Sequence, residues 1–289
     1  MMAKSKRVES SDAESDDSQI RLQDEEDGSD VDVDFQFENL TEDDFHGVSL
    51  LIKNLLAGEY NSVSLAETIT EQQNIGCAVK TGDDSAICAI GTVLNPHQYR
   101  SSEGVKQLKG YILRHATKHA ADAVAKQTQR LLAEPVNGIV PGIVIKERLV
   151  NLPMQLAPGM HRVLVDDISW SLSTEAECPA EEAAFYRYTH LVFISYFLVD
   201  PSAVSGGKLP EKAGKVKKAK KRAKIHAADG DRIYIHAEDE IFLESAEGSF
   251  SWVEGEHDDG KVKYQKHRLV YMMTKPDYLS ALTRLEKAL

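Results

Sequence analysis

Residues 138–158 read GIVPGIVIKERLVNLPMQLAP, and this stretch gives the clearest structural signal in the chain. It opens with a β-branched run, Ile139 to Ile145, interrupted only by Pro141 and Gly142. A short apolar run between turn-forming residues predicts a strand buried on both faces. Pro153 should stop it, because the residue before a proline is driven towards extended conformations. Apolar residues then recur at the spacing of an amphipathic helix, at Leu156, Met160, Val163, Leu164 and Ile168.

The charge of the chain is unevenly distributed. The 289 residues contain 42% apolar residues, enough for a substantial core, and carry a formal net charge of −12. Residues 1–34 hold roughly 12 acids against 4 bases, whereas residues 208–224 hold roughly 9 bases against one acid. The remainder therefore carries about −12. An acidic body favours a basic protein partner over nucleic acid, because phosphates would be repelled.

Cysteine content and hydropathy indicate an intracellular protein. Cys77, Cys88 and Cys178 are too few and too scattered for a disulfide framework or a zinc site, and no signal peptide is recognisable. The longest apolar run, Leu191 to Val199, is roughly half of the ~20 residues that a membrane-spanning helix needs. We therefore expect a soluble protein in a reducing compartment.

The N-terminal residues 1–30 predict a disordered acidic arm. They combine Ser, Asp and Glu with almost no large apolar side chains, so folding could not offset the entropy of ordering them. Ser11 and Ser29 each have an acid three residues later, which suits phosphorylation by an acid-directed kinase. The arm either keeps the chain soluble or binds a basic client. The acids that would bind a client are Asp12, Glu14, Asp16, Asp17, Asp24, Glu25, Glu26, Asp27 and Asp30.

An ordered domain is expected from residue 31 to residue 289. Val31, Val33, Phe35 and Phe37 alternate with polar residues, which predicts a half-buried strand. Capping boxes, Thr41 with Asp44 and Ser64 with Glu67, predict two helices. The stripe of the first helix consists of Phe45, Val48, Ile52, Leu55 and Leu56, with Gly58 as its stop. Strands are predicted at 75–79 and 86–94.

The pattern over 105–131 predicts two helices, or one bent helix, rather than a single straight one. A polar connection is predicted at 175–182 and a central strand over 188–199. Residues 201–230 read as a solvated basic insertion. Further strands are predicted near Ile233 and at 241–243, 250–253 and 268–273, and Pro276 should open a last helix. This order favours an α/β (α+β) domain built on one mixed sheet flanked by helices.

Four stretches resemble the BCCIP family. They are VDVDFQFENLTEDDFHGVSLLIKNLL at 31–56, ITEQQNIGCAVK at 69–80, GIVIKERLVNLPMQLAPGMHRVL at 142–164 and YTHLVFISYF at 188–197. The resemblance implies a fold similar to that of the GNAT acetyltransferases and a role without catalysis. It further implies a nuclear escort or chaperone for a basic large-subunit ribosomal protein, and we separately expect the chain to be a monomer. Such an escort would act in ribosome biogenesis and nuclear export, and would shuttle to the cytoplasm with the export machinery.

The sequence leaves two alternative functions: a GNAT-like N-acetyltransferase that retains acetyl-CoA, and a nucleic-acid-binding module built on the basic insertion. Residues 73–78 fit the Q-x-x-G-x-A pattern of a pyrophosphate-binding loop, but they lie between a predicted helix and a strand, where no helix N-terminus faces the loop. We read them as a helix cap leading into the strand. We therefore expect no catalytic, cofactor or metal site.

Other chemically suggestive residues have structural readings. His115 and His119 lack the glutamate and the third ligand of a metal site, and Ser195 lies inside a strand without the glycines of a nucleophile elbow. Gly206-Gly207-Lys208 reads as linker. Lys146, Glu147 and Arg148 are expected to form a surface ion pair.

The basic insertion has three possible roles. A nuclear localisation signal fits best, through Lys217, Lys218, Lys220, Lys221, Arg222 and Lys224. A contact with nucleic acid and an intramolecular partner for the acidic arm are the alternatives.

Overall fold

The computed structural model describes residues 34–72, 74–82, 86–173, 178–200, 232–258, 260 and 262–289. The strands are β1 (Phe35–Asn39), β2 (Cys77–Thr81), β3 (Ala86–Leu94), β4 (Pro141–Arg148), β5 (His190–Val199), β6 (Arg232–Tyr234), β7 (Gly248–Asp258) and β8 (Lys263–Thr274). The helices are α1 (Phe45–Ile52), α2 (Ser62–Glu71), α3 (Glu103–His119), α4 (Asp122–Leu132), α5 (Leu156–Ser171), α6 (Ala180–Tyr186), α7 (Glu238–Leu243) and α8 (Lys275–Ala288). The predicted arm at 1–30 and the insertion at 201–230 lie outside the described residues.

All eight strands belong to one sheet in the order β1-β2-β3-β4-β5-β8-β7, with β6 pairing with β5 at the side of the path. The pair of β4 with β5 is parallel, and the other pairs are antiparallel. The predicted α+β class, a mixed sheet flanked by helices, is therefore confirmed. Within the described part of the chain, no helix combines the length and the apolar character needed to cross a membrane.

Helices cover both faces of the sheet, and β4 is buried between them. On one face, α1 to α4 pack against Ile143 and Ile145. On the other face, α5, α7 and α8 pack against Val144. Because successive side chains of a strand point to opposite faces, this arrangement confirms the prediction that the strand is buried on both sides.

The start of the domain differs from the sequence prediction in two details. The capping box of Thr41 and Asp44 forms, but it opens a single 3-10 turn before α1. Helix α1 then ends at Ile52, before the predicted stop, and Ala57 and Gly58 both have positive φ. Helix α2 is capped by Asn61, whose side chain accepts a hydrogen bond from the Val63 N–H. The predicted cap at Ser64 is wrong, because its hydroxyl accepts instead from the Gly104 N–H of α3 at 3.1 Å.

The other predicted elements agree with the structure in some places and differ from it in others. The predicted pair of helices over 105–131 is confirmed as α3 and α4, and the strands at 86–94 and 188–199 are confirmed as β3 and β5. The strand predicted at 75–79 begins at Cys77, and the polar connection at 175–182 gives way to helix α6. Phe37 is exposed rather than half-buried. The strand predicted at 241–243 is wrong, because these residues form the end of α7.

Candidate functional site: a filled gap between β4 and β5

Strands β4 and β5 part after their first four residues. They pair from Pro141 with His190 to Val144 with Phe193, and no pairing follows, although β4 runs on to Arg148 and β5 to Val199. In open sheets, ligands bind outside the carboxyl ends of parallel strands, where neighbouring strands diverge. The gap between β4 and β5 is therefore the natural place in this sheet to look for a site.

Helix α7 closes this gap with buried ion pairs. The Lys146 ammonium lies 2.9 Å from Glu238 Oε1 and 2.6 Å from Asp239 Oδ1. The Arg148 guanidinium binds the Glu238 carboxylate through two hydrogen bonds, of 3.1 and 2.8 Å. All four side chains are at most 8% exposed. The expectation that the 146–148 segment forms a surface ion pair is therefore wrong, because its cations meet carboxylates about 90 residues further along the chain, inside the core.

We call Lys146, Arg148, Glu238 and Asp239 the ionic cluster. Neighbouring polar groups complete its hydrogen bonding. The Tyr271 hydroxyl donates to Asp239 Oδ1 at 2.5 Å, and the Ser195 hydroxyl donates to Asp239 Oδ2. Every carboxylate oxygen of the cluster thus has a partner. Such complete pairing is what makes buried charges tolerable in a protein interior.

Electrostatics keep Glu238 ionised and the neighbouring histidines neutral. Burial by itself would raise the pKa of Glu238, but Lys146 and Arg148 outweigh it and hold this pKa well below its usual range. Burial, reinforced by the Lys146 charge, lowers the pKa of His161 to about 3 and lowers the pKa of His236 well below its usual value. His161 is also within 2.9 Å of the Tyr278 hydroxyl. At neutral pH the Glu238 carboxylate therefore stays charged, and the His161 and His236 imidazoles stay neutral.

The space that remains in the gap is small. A cavity of about 10 Å³ is bounded by Lys146, Glu147, His161, His236 and Glu238, among others. That is room for roughly one water molecule, whereas pockets for small organic ligands measure roughly 300–1,000 Å³. The protein's own side chains therefore fill the place where a ligand would be expected.

Ser195, His236 and Asp239 meet here, but not in the arrangement of a nucleophilic triad. In a triad the imidazole lies between the hydroxyl and the carboxylate. Here the Ser195 hydroxyl bonds directly to Asp239, and the His236 ring nitrogen lies 3.5 Å from the Ser195 oxygen. All three residues are buried. Ser195 is therefore a packing residue of β5, as its sequence context predicts.

The Q-x-x-G-x-A stretch is occupied by a carboxylate of the protein. Gln73 lies outside the described residues, and the stretch connects α2 to β2, as the sequence predicts. The Gly76 N–H donates to Asp167 of α5 at 3.1 Å, and the Asn74 amide donates to Glu182 and to the Tyr186 hydroxyl. A pyrophosphate would have to displace the Asp167 carboxylate, so this stretch is not built to bind one.

His115 and His119 have a packing role. The His115 ring stacks on Trp252 at a centroid distance of 4.1 Å, and the His119 ring follows at 5.8 Å. Among the residues that the structure describes, no group of three or more His, Cys, Asp or Glu side chains is arranged to hold a metal ion.

The opposite face of the sheet holds a second set of buried charges that the sequence did not reveal. Arg268 is fully buried, and Glu254 accepts from it at 2.7 and 2.8 Å. Glu147 is buried nearby, and its Oε1 has no hydrogen-bond partner among the described residues. Burial raises the pKa of Glu147 to about 7, against the opposing influence of Arg268 and Lys146. This carboxyl therefore titrates near neutral pH.

The remaining predicted functional residues cannot be placed. The acidic residues from Asp12 to Asp30, the phosphorylation candidates Ser11 and Ser29, and the basic residues from Lys217 to Lys224 all lie outside the described ranges. Their roles stay predictions from the sequence.

Together, the fold and the filled gap define an α+β protein in which an ionic cluster closes the sheet where its parallel strands diverge. A model of the BCCIP family matches residues 30–242, and the chain belongs to this family. It is 31% identical to protein bcp1 of Schizosaccharomyces pombe over 75% of this chain and 72% of that protein. It is 30% identical to the BCCIP homolog of Arabidopsis thaliana over 79% of this chain and 65% of that protein.

A solved structure supports the fold. A crystal structure of BCP1 from Saccharomyces cerevisiae aligns with a TM-score of 0.59 and 16% identity over 89% of each chain. A GNAT-family acetyltransferase from Bacillus anthracis aligns with a TM-score of 0.30 and 6% identity, and a likeness this weak carries no argument about activity.

Removing one cation tests the ionic cluster. Among the described residues, Lys146 is the only cation paired with Asp239 and one of two paired with Glu238. In Lys146→Met we therefore expect the free energy of unfolding to fall by roughly 3–5 kcal/mol. The control is Arg162→Met, which breaks an exposed pair with Glu286 and should cost less than about 1 kcal/mol. Urea denaturation of both variants provides the measurement. Equal losses would show that the buried pairs have no special role.

The pH dependence of stability tests the burial of Glu147. The folded protein keeps this carboxyl protonated between its ordinary pKa of 4.5 and about 7, where the unfolded chain releases the proton. The contribution of the Glu147 carboxyl to the free energy of unfolding is therefore complete below pH 4.5, and it is lost as the pH rises through about 7. Relative to the wild type, Glu147→Gln should gain stability across this window by up to about 1.4 kcal/mol per pH unit. Denaturation at several pH values measures the difference, with Glu103→Gln as a matched exposed substitution. Parallel curves for wild type and Glu147→Gln would contradict the assignment.

Proposed function

We propose that this chain is a non-enzymatic nuclear escort that binds a basic protein of the large ribosomal subunit. It would act in ribosome biogenesis and in nuclear protein export. The observation that carries the binding role is the filling of the gap between β4 and β5 by the ionic cluster. A chain that seals this position with its own charges is suited to act through its outer surface.

The geometry disfavours the acetyltransferase alternative at two separate places. The gap leaves a cavity of about 10 Å³, and the Gly76 N–H that a pyrophosphate would need is bonded to Asp167. Acetyl-CoA would require the removal of α7 from the core, with exposure of the four charges of the ionic cluster and of Phe242. These observations support a role in binding proteins rather than in acyl transfer.

The basic nature of the client follows from charge. The chain has a net charge of −12, and such a field attracts basic proteins and speeds their capture at low salt. Affinity and specificity require an apolar contact as well, because exposed ion pairs are screened. That the client is a protein of the large ribosomal subunit rests on the resemblance of this chain to nuclear escorts of its family.

Nuclear localisation is part of the proposal. The run from Lys217 to Lys224 has the composition of a localisation signal. The acidic residues from Asp12 to Asp30 would shield basic client surfaces, and phosphorylation at Ser11 and Ser29 would add negative charge there. We further propose that the escort is a monomer that shuttles to the cytoplasm. A nucleic-acid contact by the same basic run is less favoured, because the net charge of the chain opposes it.

Affinity capture from nuclear extract tests the proposal. The full chain is used as bait at low and at moderate salt, and the retained proteins are identified. We expect one dominant basic protein of the large ribosomal subunit that survives moderate salt, because an apolar contact resists screening. A diffuse set of basic proteins that all wash off with salt would contradict a specific escort role, since it would show only nonspecific attraction to the acidic surface.

A further inference from the structure

Strand β1 forms one edge of the sheet. It pairs with β2 on one side, and on its other side no described strand follows. Gln36, Phe37, Glu38 and Asn39 are all exposed. An open strand edge offers a row of unpaired N–H and C=O groups to which another extended chain can add.

The register identifies which backbone groups are open. The Gly82 N–H donates to the Asp34 carbonyl, so these two residues form a hydrogen-bonded pair at the start of the β1–β2 ladder. Hydrogen-bonded and non-hydrogen-bonded pairs alternate along an antiparallel ladder. Gln36 and Glu38 therefore bond to β2, whereas Phe35, Phe37 and Asn39 direct their N–H and C=O groups outwards.

Exposed apolar side chains accompany this edge. The Phe37 ring is 41% exposed and lies over Gly159 of α5, where an added Cβ would come within 2.8 Å of the ring. Phe35 and Leu152 pack against one small core cluster, which places the β4–α5 loop on the same side of the sheet as Phe37. An added strand could therefore cover the exposed Phe37 ring as well as form backbone hydrogen bonds.

The charge around the edge is negative. Asp34, Glu38, Glu42 and Asp43 are exposed along and just after β1. The nearby cation Lys80 is already held by Glu38 and Asp44, each at 2.9 Å. The chain that precedes β1, residues 1–34, carries roughly 12 acids against 4 bases. An occupant of this edge should therefore be basic.

We propose that the β1 edge is the docking surface for an extended basic segment of the client, which adds to the sheet as a strand. Backbone hydrogen bonds to Phe35, Phe37 and Asn39 would hold it, and alternate apolar side chains would pack beside Phe37. Lysine and arginine side chains of the segment would meet the surrounding carboxylates. This inference rests on the proposed function and supplies the surface that function needs.

Amide hydrogen exchange of the full chain tests the surface directly. The probe is a synthetic peptide of alternating Lys and Val, and its control has the same charge with proline in place of valine, which cannot form a strand ladder. In the free protein, the amides of Phe37 and Asn39 should exchange much faster than those of Gln36 and Glu38. The peptide should slow the exchange of Phe35, Phe37 and Asn39 by about tenfold or more, and the proline control should not.

Two substitutions of Phe37 distinguish the contribution of its backbone N–H to peptide binding from that of its ring. Phe37→Pro removes an outward N–H without touching the bonds to β2, so it should weaken binding of the Lys-Val peptide by about tenfold. Phe37→Ser removes only the ring and should weaken binding less. Leu50→Ser, which removes an exposed apolar side chain on α1, is the matched control and should bind as the wild type does. If Phe37→Pro fails to fold, the exchange pattern of the wild-type protein still decides the question.

The outcomes distinguish this inference from the proposed function. The same exchange experiment is repeated with the ribosomal protein that capture identifies. A client that binds without slowing exchange at Phe37 and Asn39 would overturn the docking surface and leave the escort role intact. If the Lys-Val peptide protects the amides of Phe37 and Asn39 but no large-subunit protein is captured, the docking surface would be supported and only the escort role would be contradicted. Two further outcomes would overturn the proposal. If the amides of Phe37 and Asn39 exchange slowly in the free protein and become fast on dilution, a second copy of the chain occupies the edge. If they become fast on deletion of residues 1–30, the arm itself occupies it.

Discussion

The buried ionic cluster is the interaction on which the rest of this structure depends. Beyond Val144 and Phe193, β4 and β5 no longer pair, and β6 occupies the freed edge of β5 only at Phe197–Val199, so a gap separates β4 from β5 before that point. Lys146 and Arg148 on β4 bind Glu238 and Asp239 on α7 and hold that helix across the opening. Because buried charges are costly unless each is paired, the cluster favours one placement of α7 and penalises any displacement.

Because the gap is filled, we look for binding on the outer surface of the protein instead of inside the sheet. A parallel strand pair that diverges is the feature that lets many sheets hold a ligand. In this chain the same feature has become part of the core, with Phe242 of α7 packed among Phe193, Tyr271 and Tyr278. The proposed recognition of a protein partner therefore falls to the β1 edge and to the acidic residues around it.

Local signals predicted much of the fold, and long-range contacts account for what they missed. The β4 strand, helix α5 and the central strand β5 have clear patterns within a few residues, and the structure confirms them. The sequence predicts a strand at Ile241–Leu243, which is the end of helix α7, because a short apolar run fits either element and its length does not decide between them. The acids Glu238, Asp239 and Glu240 in its first turn were the available signal for a helix N-terminus.

The candidate site was missed for a related reason. Lys146 and Arg148 alternate along β4 and continue the face of Val144, which lies in the core. Charged residues on a buried strand face imply buried partners, but the sequence does not say which carboxylates, because they follow about 90 residues later. Only the tertiary structure brings the two segments together.

The most direct measurement of the central claim is the thermal unfolding of the full chain in the presence of increasing acetyl-CoA. A ligand that binds the folded state raises the unfolding midpoint in a concentration-dependent way. If the ionic cluster fills the gap between β4 and β5, the midpoint stays where it is at every concentration. A midpoint that rises steadily with acetyl-CoA would show that the gap opens to a ligand and would contradict the binding-only interpretation of this fold.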